Sequence, residues 1–164
     1  MRTKIALLLS FAIICNACNK DKYTDRPQLS FKSLPSSTTL DVPDAFTFVL
    51  GFTDKQGDID SIFIQRVSKV CPDSPVGAFK LKESTYQYPI PYFPATKNQA
   101  GDINLPFVYS STSKDSTRIV VDACINASGR AGKTDTSSFR FCLKDKAGHL
   151  SDTLKSPYYT FLLN

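Results

Sequence analysis

The sequence predicts an all-β fold, a single antiparallel β-sandwich of about seven strands. Apolar and polar residues alternate with a period of two through most of the chain, as in strands that bury one face. No stretch beyond the N-terminus follows the helical period for longer than one turn. Clusters of Pro, Gly, Ser and Asp separate the alternating stretches, which is typical of the turns in a sandwich.

Seven stretches qualify as strands. They are residues 29–31, 45–53, 61–70, 103–110, 117–125, 138–144 and 158–163. Phe46, Phe48 and Leu50 share one face of the second stretch, which predicts that this face lies in the core. Pro106 lacks a backbone N–H, so the fourth stretch is predicted to be an edge or bulged strand. For the cysteines discussed below, the strands around 117–125 and 137–144 are taken to pair as a hairpin.

The N-terminus has the composition of an export signal. Arg2 and Lys4 precede the apolar run 5–14, and small or polar residues follow before Cys18. The run is shorter than the roughly 20 residues that a membrane-spanning helix needs. We therefore expect residues 1–17 to be removed, 18–27 to form a modified cysteine and a flexible tether, and 28–164 to fold as one domain.

The residues around the cleavage site resemble the lipobox of bacterial lipoproteins. Ala17 fits the small residue before the modified cysteine, whereas Cys15 stands where a branched aliphatic residue is usual. The resemblance implies acyl chains such as palmitate on Cys18 and a location at the outer membrane, on its periplasmic or surface-exposed face. The charged stretch after Cys18 is similar to the surface-export signal of Bacteroides-type lipoproteins, or is a plain linker. The alternative is an ordinary secretory peptide cleaved a few residues later.

Charge and cysteine content exclude some functions. Without residues 1–17 the net charge falls from +5 to +3, and no basic block suggests a nucleic-acid partner. The only histidine is His149, and no CxxC remains once residues 1–17 are removed, which argues against a Cys/His zinc site. In the expected hairpin Cys124 lies opposite Cys142, within reach of a disulfide. Cys71–Cys142 is the competing pair.

Two Asp/Gly segments follow predicted strands. Residues 52–60 (FTDKQGDID) and 143–152 (LKDKAGHLSD) resemble turns in immunoglobulin-like or fibronectin-III-like domains of Bacteroides-type lipoproteins. The resemblance implies an immunoglobulin-like sandwich in a cell-envelope protein, and it carries over no catalytic residues.

Asp54, Asp58 and Asp60 form the candidate metal site. Three carboxylates around a glycine offer the oxygen ligands that calcium prefers, and Asp102 is a further candidate. The pattern lacks the closing Glu of an EF-hand, and Asp and Gly are also common in plain tight turns. No other cofactor is expected.

An aromatic segment is the candidate ligand contact. Tyr86, Tyr88, Tyr92 and Phe93 alternate with prolines, and such rings stack on sugars or peptides. The alternative is a lid over one end of the sandwich, or an edge segment that proline blunts.

These features favour a non-catalytic envelope lipoprotein with a binding, adhesion or accessory role and a protein or glycan partner. The alternative is a small hydrolase that acts on glycans or peptides. His149 lies near Asp145 and Asp152 in sequence, but no nucleophile motif accompanies it.

Overall fold

A computed structural model describes residues 23–42, 45–69, 85–91, 93–109, 118–121 and 134–162. Within these ranges the chain is all-β. The strands are β1 (Gln28–Ser33), β2 (Thr39–Asp41), β3 (Ala45–Asp54), β4 (Ile59–Ser68), β5 (Thr85–Pro89), β6 (Gln99–Tyr109), β7 (Ile119–Val121), β8 (Thr134–Asp145), β9 (Leu154–Lys155) and β10 (Tyr159–Leu162). The described ranges include no helix long and apolar enough to cross a membrane.

The strands form two sheets. One has the order β1-β3-β6-β7, and the other has the order β2-β10-β8-β4-β5 with β9 paired to β8. Most pairs are antiparallel, but β2 with β10 and β7 with β6 are parallel. The sheets are therefore mixed, and the strands outnumber the seven expected. The additional strands β2, β5 and β9 are short, so an alternating pattern hardly has room to develop in them.

The two sheets share one hydrophobic core. Its buried residues come from both sheets and are Phe46, Phe48, Leu50, Phe52, Ile59, Ile62, Ile64, Ile103, Leu105, Phe107, Ile119, Phe139, Phe141, Leu143, Tyr159 and Phe161. Phe48 joins the sheets, because its ring centroid lies 5.4 Å from that of Phe107 and 5.2 Å from that of Phe141. Each such ring pair adds about 0.5–1.5 kcal/mol beyond the burial of apolar area. The predicted inward face of Phe46, Phe48 and Leu50 is confirmed.

Two expectations about neighbouring strands are wrong. β6 is not an edge strand, since it lies between β3 and β7, and its described pairing with β7 begins at Phe107, one residue after Pro106. β7 and β8 do not form a hairpin, because they belong to different sheets. The 12 residues between them (122–133) are enough for the chain to change sheets. Alternation predicts which side chains face the core but does not choose the neighbouring strand.

Residues 24–27 lie against the domain. Arg26 Nε donates to the carbonyl oxygen of Leu150 at 3.1 Å. Lys55 Nζ lies 2.9 Å from Asp25 Oδ1, and Pro27 is buried. The last residues of the predicted tether therefore contact the turns that follow β3 and β8.

Candidate functional site

The turns after β3 and β8 meet at one end of the sandwich. β3 ends at Asp54 and β8 ends at Asp145, and both residues continue the inward-facing alternation of their strands. Both side chains are fully buried. The amide of Lys146 donates to the carbonyl oxygen of Asp58 at 3.0 Å, which ties the two turns together.

Three carboxylates converge where these turns meet. One oxygen each from Asp54, Asp58 and Asp145 lies within 4.8 Å of the other two. Burial raises the pKa of Asp58, and the neighbouring carboxylates of Asp145 and Asp54 raise it further. The cluster is thus a concentration of negative charge with little water around it.

The buried carboxylates of Asp54 and Asp145 form hydrogen bonds within their own turns. Asp54 Oδ2 accepts the amides of Gly57 at 2.6 Å and Asp58 at 3.0 Å. Asp145 Oδ1 accepts the amide of His149 at 2.7 Å, and Asp145 Oδ2 lies 2.7 Å from His149 Nδ1. The bonds to backbone amides are of the kind that makes Asp common in turns, so Asp54 and Asp145 each have a structural role in a turn.

Other oxygens at this end have no hydrogen-bond donor. Asp54 Oδ1 and Asp58 Oδ1 are buried without a partner, and so are Gln56 Oε1 and Gln99 Oε1. Gln56 belongs to the turn after β3, and Gln99 lies opposite Asp54 in the β3–β6 register. All four orphan atoms are acceptors.

The turn after β3 has no room for a side chain at Gly57. Gly57 has a φ of 70°, and a Cβ on it would lie 2.0 Å from the carbonyl oxygen of Thr96. The amide of Asn98 donates to the carbonyl oxygen of Lys55 at 2.9 Å and holds the facing loop in place. The carboxylates of Asp54 and Asp58 are therefore held by a turn that only glycine completes.

The structure changes the membership of the predicted metal site. Asp60 lies outside the cluster, because it is the extra residue of a β-bulge in β4 and accepts a hydrogen bond from Ser61 Oγ at 3.1 Å. Asp102 is exposed on the outer face of β6, opposite Gly51. Asp145 takes the third position. Its Asp/Gly segment is visible in the sequence, but only the fold brings it beside Asp54.

Part of the aromatic segment is a strand. Tyr86 and Tyr88 belong to β5, an edge strand, and pair with Ile64 and Ile62 of β4. Their half-buried rings pack against the core, as does the ring of Phe93. Tyr92 lies outside the described residues. This placement matches the edge-segment alternative and leaves only part of each described ring for a ligand.

Cys142 is buried, and it forms no disulfide with another described residue. Its Sγ lies 3.5 Å from the carbonyl oxygen of Ser151, and burial raises its pKa. Cys71 and Cys124 lie outside the described residues, so both proposed disulfides stay predictions. The hairpin that placed Cys124 opposite Cys142 is absent, because β7 and β8 lie in different sheets.

His149 pairs with Asp145 but has no nucleophile in the described ranges. Its side chain is 47% exposed, and its hydrogen bonds there are all made with Asp145. A hydrolytic triad needs a hydroxyl or thiol on the other ring nitrogen. The pair as described holds the turn after β8.

Comparisons with known proteins add no identity. No protein-family model matches the chain, and no curated protein matches it.

Proposed function

We propose that this chain is an outer-membrane lipoprotein that presents an immunoglobulin-like β-sandwich and acts by binding rather than by catalysis. The lipid anchor is the acylated Cys18, and the partner is a glycan or a protein. The lipobox-like residues before Cys18 support the anchor. The fold and one surface groove support the rest.

The strand order supports the immunoglobulin-like assignment. In that fold strands A, B, E and D form one sheet and strands C, F and G form the other. The order β1-β3-β6 corresponds to A-B-E, and β4-β8-β10 corresponds to C-F-G. β5 extends the second sheet beside β4, as an added strand does in variable-type domains. The departure is β7, which runs parallel to β6 where the fold has an antiparallel D strand.

An open groove on the first sheet carries the binding hypothesis. It has a volume of about 1000 Å³, and its lining includes Arg26, Lys32, Gly51, Thr53, Asp102 and Asp152. Asp102 and Asp152 are both exposed, so the groove lacks the buried, converging acid and base that hydrolysis needs. Charged and hydroxyl groups along an open channel suit an extended polar polymer, such as an oligosaccharide or a peptide.

Lys32 offers a direct test of the groove. Its side chain lies over Gly51, where a Cβ on Gly51 would be 2.6 Å from Lys32 Cε. We expect Lys32→Glu to weaken binding to panels of immobilised oligosaccharides and peptides, measured with the purified lipidated protein. The matched control is Lys155→Glu, because Lys155 is an exposed lysine on β9 of the other sheet. Equal loss in both variants, or no binding by the native protein, would reject the groove as the site.

Cys18→Ser tests the anchor separately. The variant is expected to lose lipid labelling and to leave the membrane fraction. A Cys18→Ser protein that stays labelled and membrane-bound contradicts the lipoprotein proposal and leaves the groove proposal intact.

The hydrolase alternative has one observation in its favour, the 2.7 Å contact between His149 Nδ1 and Asp145 Oδ2. It predicts turnover of a glycan or peptide that His149→Ala abolishes. Turnover that survives this substitution, or none at all, rejects the pair as catalytic.

A further inference from the structure

We propose that Asp54, Asp58 and Asp145 bind one Ca²⁺ ion where the turns after β3 and β8 meet. The site differs from the one that sequence spacing predicts, since Asp145 from a second turn replaces Asp60. The groove lies on the outer face of the sheet β1-β3-β6-β7, whereas Asp54 is buried on the inner side at the end of β3.

The buried orphan oxygen of Asp54 is the observation that points to a ligand. The residue has no exposed surface, and its Oδ2 already accepts two amides, yet its Oδ1 has no partner. A buried ionised carboxylate is very costly unless a positive charge or donors surround it. Two further carboxylates nearby raise that cost, and a divalent cation removes it.

The remaining orphan atoms at this end are also acceptors. Asp58 Oδ1, Gln56 Oε1 and Gln99 Oε1 are buried without donors. The amide nitrogen of Gln56 donates to Asp25 Oδ1 at 3.4 Å, so its oxygen is the atom left for the interior. Unpartnered oxygens with no unpartnered donor among them suit a cation and not an anion.

The ligand set and its spacing suit calcium. Ca²⁺ binds six to eight oxygens at roughly 2.4 Å, so two of its ligands are at most about 4.8 Å apart. The three carboxylate oxygens meet that limit as they stand. Mg²⁺ gives up its waters reluctantly and is seldom bound by protein oxygens alone, so a buried carboxylate cluster suits it less. Zn²⁺ prefers nitrogen and sulfur ligands, and the cluster has neither.

Ion binding at this position fastens several segments together. Asp54 and Asp58 belong to the turn after β3, and Asp145 belongs to the turn after β8. Asp25 bonds to Lys55 and Gln56 of the first turn, and Arg26 bonds to Leu150 of the second. The ion thus lies beneath the segment that enters the domain from the N-terminus.

Calorimetric titration of the mature, EDTA-treated protein with CaCl₂ tests the site. We expect one ion per chain at submillimolar affinity, with weaker binding of MgCl₂. Asp58→Asn and Asp145→Asn should each weaken calcium binding roughly tenfold or more. Asp60→Asn is the matched control, because Asp60 is an aspartate two residues from Asp58 that lies outside the cluster, and its calcium affinity should be unchanged.

Thermal unfolding with and without calcium gives a second readout. In EDTA, Asp58→Asn is expected to melt above the native protein, because it removes one of three crowded negative charges. In calcium the native protein should melt above Asp58→Asn, because the ion binds and stabilises the native protein but not the variant. This comparison needs only Asp58→Asn and the native protein, so it still tests the site if Asp145→Asn, at the more buried position, fails to fold.

Two results would overturn the proposal. One is a native protein that shows neither binding heat nor a shift in melting temperature at about 10 mM calcium. That concentration is well above the dissociation constants of extracellular calcium modules. The other is an Asp60→Asn protein that loses calcium as fully as Asp58→Asn.

Discussion

At the scale of single residues, two serines form hydrogen bonds with the backbone of β8 in place of a neighbouring strand. Ser156 donates its amide to the carbonyl oxygen of Phe139 at 2.8 Å, and its Oγ accepts the amide of Phe139 at 2.8 Å. Ser151 forms the same pair of bonds with Leu143, at 2.8 and 2.9 Å. Both serines are buried. They satisfy backbone groups on the side of β8 that pairs only with the short strands β9 and β10.

Ser156→Ala is expected to lower the free energy of unfolding by about 1–3 kcal/mol, because it leaves the buried amide of Phe139 without an acceptor. Urea denaturation monitored by circular dichroism measures the change. Ser36→Ala is the matched control at an exposed serine and should stay within about 0.5 kcal/mol of the native protein. A neutral Ser156→Ala would mean that water replaces the hydroxyl.

Cys142 should be inert in the folded protein. Its thiol is 3% exposed, and burial raises its pKa, so the reactive thiolate is scarce. A raised folded-state pKa means that the thiol contributes its stability fully below its unfolded pKa. That contribution declines as pH rises above about 9 towards the folded value.

We therefore expect Cys142 to react with Ellman's reagent at pH 8 only after denaturation, with peptide mapping to identify the labelled cysteine. The same map of the unreduced protein shows whether Cys142 is paired with Cys124 or Cys71. Rapid labelling of Cys142 in the native state would contradict the burial.

At the scale of elements, the two Asp/Gly turns share residue types but differ in tolerance. Gly57 and Gly148 have φ values of 70° and 92°, a region that other residues avoid. A Cβ on Gly57 would overlap the carbonyl oxygen of Thr96, whereas a Cβ on Gly148 has nothing within 4 Å. The turn after β3 is packed against a facing loop and the turn after β8 is open.

Gly148→Ala is expected to cost about 1–2 kcal/mol from backbone conformation alone. Gly57→Ala should cost clearly more, because the facing backbone at Thr96 must also move. Urea denaturation of the two variants, matched in chemistry, separates the contributions. Equal losses would show that the loop at Thr96 adapts at little cost.

At the scale of the whole molecule, aspartates at the two ends of the sandwich differ in whether their oxygens have partners. Asp135 near the start of β8 is fully buried, and it accepts hydrogen bonds from Ser68 Oγ at 2.5 Å and Ser137 Oγ at 2.7 Å. Arg66 Nη1 lies 3.8 Å from its Oδ2. At the other end of the sandwich, Asp54 and Asp58 keep orphan oxygens. At the first end, side chains of the protein satisfy the carboxylate of Asp135. At the other end, carboxylate oxygens remain that a bound cation would satisfy.

Asp135→Ala should therefore destabilise the protein by roughly 3 kcal/mol, whether or not calcium is present. The loss follows from removing the carboxylate that accepts from two serine hydroxyls and lies beside Arg66. Melting in EDTA and in calcium measures it. A loss that depends on calcium would link the two ends and contradict their independence.

The alternating pattern was enough to predict an all-β chain and the inward face of β3, because strand geometry sends every second side chain to the same side. The pattern did not predict the position of the strand that contains Pro106, or the strand that pairs with β7. Alternation does not specify which strands lie next to each other in a sheet. The candidate site divides in the same way. Asp54 and Asp58 are close in sequence and were predictable, whereas Asp145 lies 87 residues after Asp58.

The sequence by itself determined the period-two elements, the turn chemistry of Asp and Gly, and the export-like N-terminus. All of these depend on residues that are near one another in the sequence. Only the tertiary structure decided that β7 lies beside β6, that Cys142 is buried, and that the ends of β3 and β8 meet. The physical reason is that packing two sheets around one core joins distant strands through non-directional apolar burial, whose partners no local pattern specifies.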